Sequence, residues 1–284
     1  MIELIKKVRQ DTVDLSRLIP GWLLDEDIYT FFAVDDYLHE QNIKGDILEI
    51  GVYKGKSAII LNSLIRESEK LYLCDIFDGE TTEKNKREIL NSYDKYNINQ
   101  LNSLFHKHFD QYPEILNCNS TSLSSVVGDK KFRLIHVDGS HEFSIVQEDV
   151  RNVYNWALMP NGIVIFDDYR SAHTIGVSAA IWEAILFKKM KPILRTESKL
   201  YCVLSTERHF QMEVMSKHLI SMGLKVKEEE FLDFKIIAIS PIKQPYEYYP
   251  IIQQLTPPKI YGFLSRINII GHVINFFKSR FRPS

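Results

Sequence analysis

The chain has 284 residues, 45% of them apolar and 25% charged, with a formal net charge of −2. That is ordinary globular content, with length for one large α/β domain and additions or at most two domains. The near-zero charge argues against a generic nucleic-acid binder, and three scattered cysteines, Cys74, Cys118 and Cys202, make no CxxC pair, so a reducing compartment and no thiolate metal site are expected.

Met1 to Lys7 lacks the apolar core of a signal peptide, and no run reaches the ~18 apolar residues of a membrane span, so a cytoplasmic protein is expected. Residues 1–44 read as a helical lead-in. A polar amphipathic stretch ends at Pro20-Gly21, and Ile28, Phe31, Phe32, Val34, Tyr37 and Leu38 predict a packing helix over 25–41.

A strand over 45–51 then runs into Gly51-Val-Tyr-Lys-Gly55-Lys-Ser57, which opens a helix over 58–68. An acid at a strand end, a glycine turn and a helix N-terminus let backbone N–H groups approach a small anionic ligand. The next strand, 70–75, ends in Asp75, placed to accept hydrogen bonds from ribose hydroxyls. Residues 77–114 form a long polar insertion with a helical hint over 83–93, read as a lid. A third strand over 114–120 carries Asn119 and Ser120 at its tip, followed by a short helix over 122–128.

Phe132 to Asp138 and Gly162 to Asp167 are β-branched, apolar runs that end abruptly in acids, as buried parallel strands do when they deliver carboxylates to a sheet edge. A helix over 144–158 joins them. Asp138, Asp167 and Asp168 are expected to meet there. One or two of them could instead cap helices or pair with a nearby Lys or Arg; otherwise such crowded like charges require a proton or a cation, and an all-oxygen set favours Mg²⁺, Mn²⁺ or Ca²⁺ over zinc. Successive strand residues point to opposite faces, so a turn must begin between Asp167 and Asp168 for both to reach one ion. His141 lies just past the strand end and could take a proton there, whereas His136, inside the strand, reads as core.

Beyond Tyr169 come a helix over 177–190, a hairpin over 191–205 that closes a sheet edge antiparallel, a helix over 210–222, two strands within 224–240 and a Pro- and Tyr-rich connector over 241–258. The fold class is α/β, a doubly wound and mostly parallel sheet with an antiparallel edge hairpin and a C-terminal extension over 206–258. The last segment, 259–284, carries five basic residues and no acid, +5 against −7 for the rest. Phe263, Ile267, Ile270, Ile274, Phe277 and Phe281 share one helical face there. Such a helix can lie on an anionic membrane, or pack on the domain or on a second subunit of a homo-oligomer.

Glu49-Ile-Gly-Val-Tyr-Lys-Gly-Lys-Ser57, Asp75-Ile-Phe-Asp-Gly79, His136-Val-Asp-Gly-Ser-His141, Leu158-Met-Pro-Asn-Gly-Ile-Val-Ile-Phe-Asp-Asp-Tyr169 and Gly176-Val-Ser-Ala-Ala180 stand in the order found in class I methyltransferases. The set resembles above all the macrocin-type, metal-dependent sugar O-methyltransferases of natural-product pathways, over residues 19–205. The resemblance implies a Rossmann-like domain over 45–205 that binds S-adenosyl-L-methionine, with Glu49, Gly51, Tyr53, Gly55 and Ser57 around its methionine part and Asp75 on its ribose. Asn119 and Ser120 would lie near its adenine. It further implies Mg²⁺ or Mn²⁺ on Asp138, Asp167 and Asp168, and His141 or Asp138 as the base. Asn119 stands where an acid is more usual, and Asn161 replaces a turn glycine. The function expected is Mg²⁺-dependent O-methylation of a hydroxyl of a sugar or glycosylated small molecule. The rival readings are a metal-independent methyltransferase acting on another nucleophile and a non-catalytic, membrane-associated or assembly protein.

Overall fold

In the computed structural model, residues 2–77, 98–207 and 209–242 are described. The 83–93 helical hint, residues 78–97 of the insertion, nearly all of the connector and the 259–284 helix lie outside them. Every described element belongs to one unit, Met1–Pro241.

The apolar runs become strands β1 (Asp46–Ile50), β2 (Leu71–Asp75), β3 (Glu114–Asn117), β4 (Phe132–Val137) and β5 (Leu158–Phe166), followed by β6 (Met190–Arg195), β7 (Leu200–Leu204), β8 (Val226–Phe231) and β9 (Phe234–Ile239). They form one nine-stranded sheet in the order β3-β2-β1-β4-β5-β7-β6-β9-β8. β1 to β5 run parallel, so all five carboxyl ends share one edge. β7 runs antiparallel to β5, so its start faces that same edge. The β6–β7 hairpin is not the last member: β9 pairs parallel with β6 and β8 antiparallel with β9, which carries the residues beyond 206 into the same sheet.

The helices are α1 (Ile2–Arg17), α2 (Asp25–Glu40), α3 (Lys56–Asn62), α4 (Ile98–His108), α5 (Leu123–Val127), α6 (Phe143–Asn152), α7 (Ile175–Leu186) and α8 (Met212–Ser221). α3 stops well short of the expected Ser68. The predicted 144–158 helix ends as a wide turn over Val153–Ala157, and β5 begins before the Pro160-Asn-Gly162 stretch. α1, α2, α3 and α8 cover one face, while α6 and α7 pack together on the other.

Alternation along the strands decides which side chain meets which layer. Leu48, Ile50, Ile135, Val137, Val164, Phe166, Leu200 and Cys202 join Val146, Val150, Ala180 and Ile181 in the core under α6 and α7. Their neighbours Glu49, His136, Ile165 and Tyr201 therefore face α2. His136 meets Phe31 of α2 edge-on at 5.3 Å.

Candidate functional site

The turn after β1 is shaped by close approach. Gly51 has φ +85, and a Cβ on it would lie 1.9 Å from the carbonyl oxygen of Asp138, so only glycine lets the β1 and β4 loops touch. Asp75 ties this turn to β2: its Oδ2 accepts from Val52 N at 2.7 Å and Tyr53 N at 3.0 Å, and its Oδ1 from Ile76 N at 2.6 Å. A carboxylate has about four acceptor positions, so one remains for a hydroxyl. Tyr53, at φ +48, stacks on the exposed Trp22 ring at 5.9 Å, while Gly55 caps α3 and Ser57 is buried in its first turn. Asn119 Oδ1 is engaged locally, accepting from Thr121 N at 3.1 Å and Thr121 Oγ1 at 3.0 Å, and Ser120 follows it half-buried. Beneath this loop, in α6, burial pushes the Asp149 carboxyl up to about 7, and neither oxygen finds a hydrogen-bond partner among the described residues.

The acidic edge follows from register. Glu49 stands opposite His136, and Phe166 opposite Leu200, which places Asp167 opposite Lys199 one step further on. Asp138 N donates to Ile50 O and Asp167 N to Val137 O, so both strands stay regular through these residues. Period-2 alternation then aims Glu49, His136, Asp138, Asp167 and Lys199 at the α2 face together. Glu49 Oε1 lies 2.9 Å from His136 Nδ1. Burial pushes Glu49 up to about 8, and burial together with the Lys199 charge pulls His136 down to about 3. Burial thus disfavours charge on both partners of this contact. Glu49 Oε2 and His136 Nε2 find no partner among the described residues.

Burial and the neighbouring Asp167 charge hold Asp138 well above the usual carboxylate range. Asp167 Oδ1 accepts from Asp168 N at 2.8 Å, and its Oδ2 accepts from the ammonium of Lys199. Lys199 is fully buried; burial opposes its charge, but Asp167, Asp27 and Asp138 outweigh that and raise its pKa. Asp27 of α2, also buried, accepts from Thr196 Oγ1 at 2.5 Å and Ser198 Oγ at 2.9 Å, which pins the β6–β7 turn to the helix.

Asp168 goes elsewhere. At φ +57 it turns out of the strand, and its Oδ2 lies 3.0 Å from His141 Nε2 while Oδ1 accepts from Ser171 Oγ at 2.6 Å. Burial alone would raise this carboxyl, but the bonds from His141 and Ser171 hold it below the usual range. Gly176 makes room for the arrangement, since a Cβ there would lie 2.8 Å from His141 O.

Of the metal set expected from sequence, Asp138 and Asp167 come together, while Asp168 lies against His141. His136, Asp138 and Asp167 each place one donor atom within 4.8 Å of the others, and Asp168 is not in that group. Mg²⁺ takes oxygen ligands and Mn²⁺ prefers them. Here one donor is an imidazole, and one carboxylate already carries an ammonium. These side chains do not fit the ion that the resemblance implies. S-adenosyl-L-methionine is different, because the Gly51 turn and the unpartnered buried Glu49 Oε2 fit a ligand that brings a cationic amine close to backbone. His136 is core, as its place inside the strand predicted, and it also brings a ring nitrogen close to Asp138 and Asp167. Sequence reasoning missed Lys199 and Asp27 because their part in the site depends on the β5–β7 register and on how α2 lies, neither of which is local in sequence.

A family model for a methyltransferase domain matches residues 48–169, from inside β1 to just past β5. Among solved structures, the O-methyltransferase NovP is 18% identical, with a TM-score of 0.51 over 64% of this chain and 81% of that one. The calicheamicin methyltransferase CalS11 is 15% identical, with a TM-score of 0.46 over 69% and 91%. The S-adenosylhomocysteine-bound methyltransferase PaMTH1 of Podospora anserina is also 15% identical, with a TM-score of 0.46 over 69% and 87%. No curated protein matches the chain in sequence. The likeness to NovP shows a shared Rossmann-like fold, as expected from the motif order.

Proposed function

We propose that the chain, whose residues 48–169 match a family model for a methyltransferase domain, methylates a hydroxyl of a sugar or glycosylated small molecule, such as a natural product, with S-adenosyl-L-methionine as donor. When bound, the donor supplies a methyl group already activated on a sulfonium. The Gly51 turn and Glu49 hold its amino-acid end, and Asp75 takes a ribose hydroxyl. His141, held through Nε2 on Asp168, takes the proton that the acceptor hydroxyl loses. Asp138 is the weaker candidate for base, since burial and the neighbouring Asp167 charge raise its pKa and so favour its protonated form.

The observation that carries this reading is the 3.0 Å His141–Asp168 pair at the same sheet edge as the Gly51 turn. We place the reaction in the cytoplasm, in keeping with the free thiols of Cys74, Cys118 and Cys202. No helix among the described residues is long and apolar enough to cross a membrane. Calorimetric titration with S-adenosylhomocysteine tests the premise, and a screen of nucleotide sugars and glycosides with methyl-labelled donor tests the acceptor. Micromolar product binding is expected; no binding at millimolar concentration removes the reading.

A further inference from the structure

We infer that Lys199 is the cation of this site: its ammonium, docked on Asp167, stands where the resemblance implies a divalent metal, so this chain orients and charges its acidic edge without one. The inference rests on the methyltransferase reading and concerns how that same site is built.

Three independent features hold Lys199 in place. The β5–β7 register sets it directly beside Asp167, and its side chain is fully buried. Its backbone closes the hairpin turn, with Lys199 N donating to Thr196 Oγ1 at 3.0 Å and Thr196 N to Lys199 O at 2.9 Å. Thr196 and Ser198 in turn are both bonded to Asp27, so α2 locks the turn that carries the lysine. A buried ammonium must keep an anionic partner, and Asp167 is the carboxylate in contact with it. A divalent ion bound to Asp138 and Asp167 would stand against that ammonium, in surroundings where like charges repel strongly. Asp168, which could have completed an oxygen set, is committed to His141 and Ser171.

The consequence reaches the substrate. A metal that chelates two oxygens demands an acceptor with a pair of adjacent hydroxyls, whereas an ammonium-balanced Asp167 beside the His141–Asp168 pair demands only one. The acceptor class therefore includes sugars with an isolated hydroxyl. Lys199 acts here as a positioning residue: it fixes the charge and direction of Asp167 and takes no proton from the substrate.

The test is titration of Mn²⁺ into the full chain in the presence of S-adenosylhomocysteine, read by the electron paramagnetic resonance signal of the free ion. The wild type is expected to leave Mn²⁺ free up to millimolar concentration. Lys199→Met, which keeps an unbranched side chain one atom shorter and removes its charge, is expected to bind Mn²⁺ at least about tenfold tighter through the uncovered Asp167. Micromolar Mn²⁺ binding by the wild type that is lost in Asp167→Asn overturns the inference, and so does a folded Lys199→Met whose Mn²⁺ affinity is unchanged. If Lys199→Met fails to fold, the comparison of wild type with Asp167→Asn decides alone. Binding of S-adenosylhomocysteine, measured by calorimetry on the same samples, keeps the two ideas apart: its absence removes the methyltransferase reading, while the Mn²⁺ result bears only on Lys199.

Discussion

Two fully buried cations, Arg133 at the start of β4 and Lys199 at the start of β7, sit at opposite edges of the sheet in opposite states of balance. Arg133 donates to Asp35 Oδ1 and Glu69 Oε2 at 2.8 Å each, to Leu64 O at 2.9 Å and to Gly45 O at 3.1 Å. Both of its carboxylates are paired again, Asp35 with Arg66 and Glu69 with the Gly45 and Arg66 backbone N–H groups. Lys199 touches one carboxylate and leaves Glu49 Oε2 and His136 Nε2 nearby without partners among the described residues. Buried polar groups are normally satisfied, so the first cluster reads as structure and the second as a place prepared for something else.

The sharpest way to break this contrast is at the balanced edge. Arg133→Met leaves Asp35 and Glu69 buried without their main partner and should cost about 3–5 kcal/mol, enough to unfold a marginal domain. Urea unfolding of the purified variant checks it. A loss below ~1 kcal/mol would mean that the cluster contributes little and that the comparison is false.

At the prepared edge the same kind of change should alter chemistry and spare the fold. His141→Gln removes the proposed base and should lower turnover ~10²-fold, about 2.7 kcal/mol of barrier, with S-adenosylhomocysteine binding and melting temperature kept. Weakened product binding in step with the rate would place His141 in cofactor binding instead.

The contrast also shows what a sequence can carry. β1, β2, β4 and the β6–β7 hairpin were legible because each is a short apolar run bounded by glycine or acids, and Asp75, Asp138 and Asp167 were legible as strand-end acids. The Asp168 side chain was half legible: alternation required a turn there, but not that the turn would send it to His141. Lys199 was not legible, since a lysine at a hairpin turn is ordinarily solvated, and only the pairing of β7 with β5 and the lid of α2 bury it. The β9–β6 pairing was missed for the same reason, because parallel partners distant in sequence leave no local period.

The smallest expected effect concerns Asp149, under the Ser120 loop, where an unpartnered carboxyl is held up to about 7. In an unfolded chain the same group titrates near ~3.9. Between those values the folded state binds more protons than the unfolded one, so this residue makes the protein less stable as pH rises from 4 to 7, and the penalty is constant above that. Asp149→Asn removes the ionisation while keeping the shape. The variant should match the wild type near pH 4, gain progressively through pH 5 and 6, and level off above pH 7 with an advantage on the order of 2 kcal/mol. Denaturant unfolding across that range reads the curve. An equal difference at every pH would show that Asp149 titrates alike in both states. A gain that disappears once S-adenosylhomocysteine is bound would tie the unpartnered carboxyl to ligand binding, and so bring Asp149 into the prepared edge rather than the balanced one.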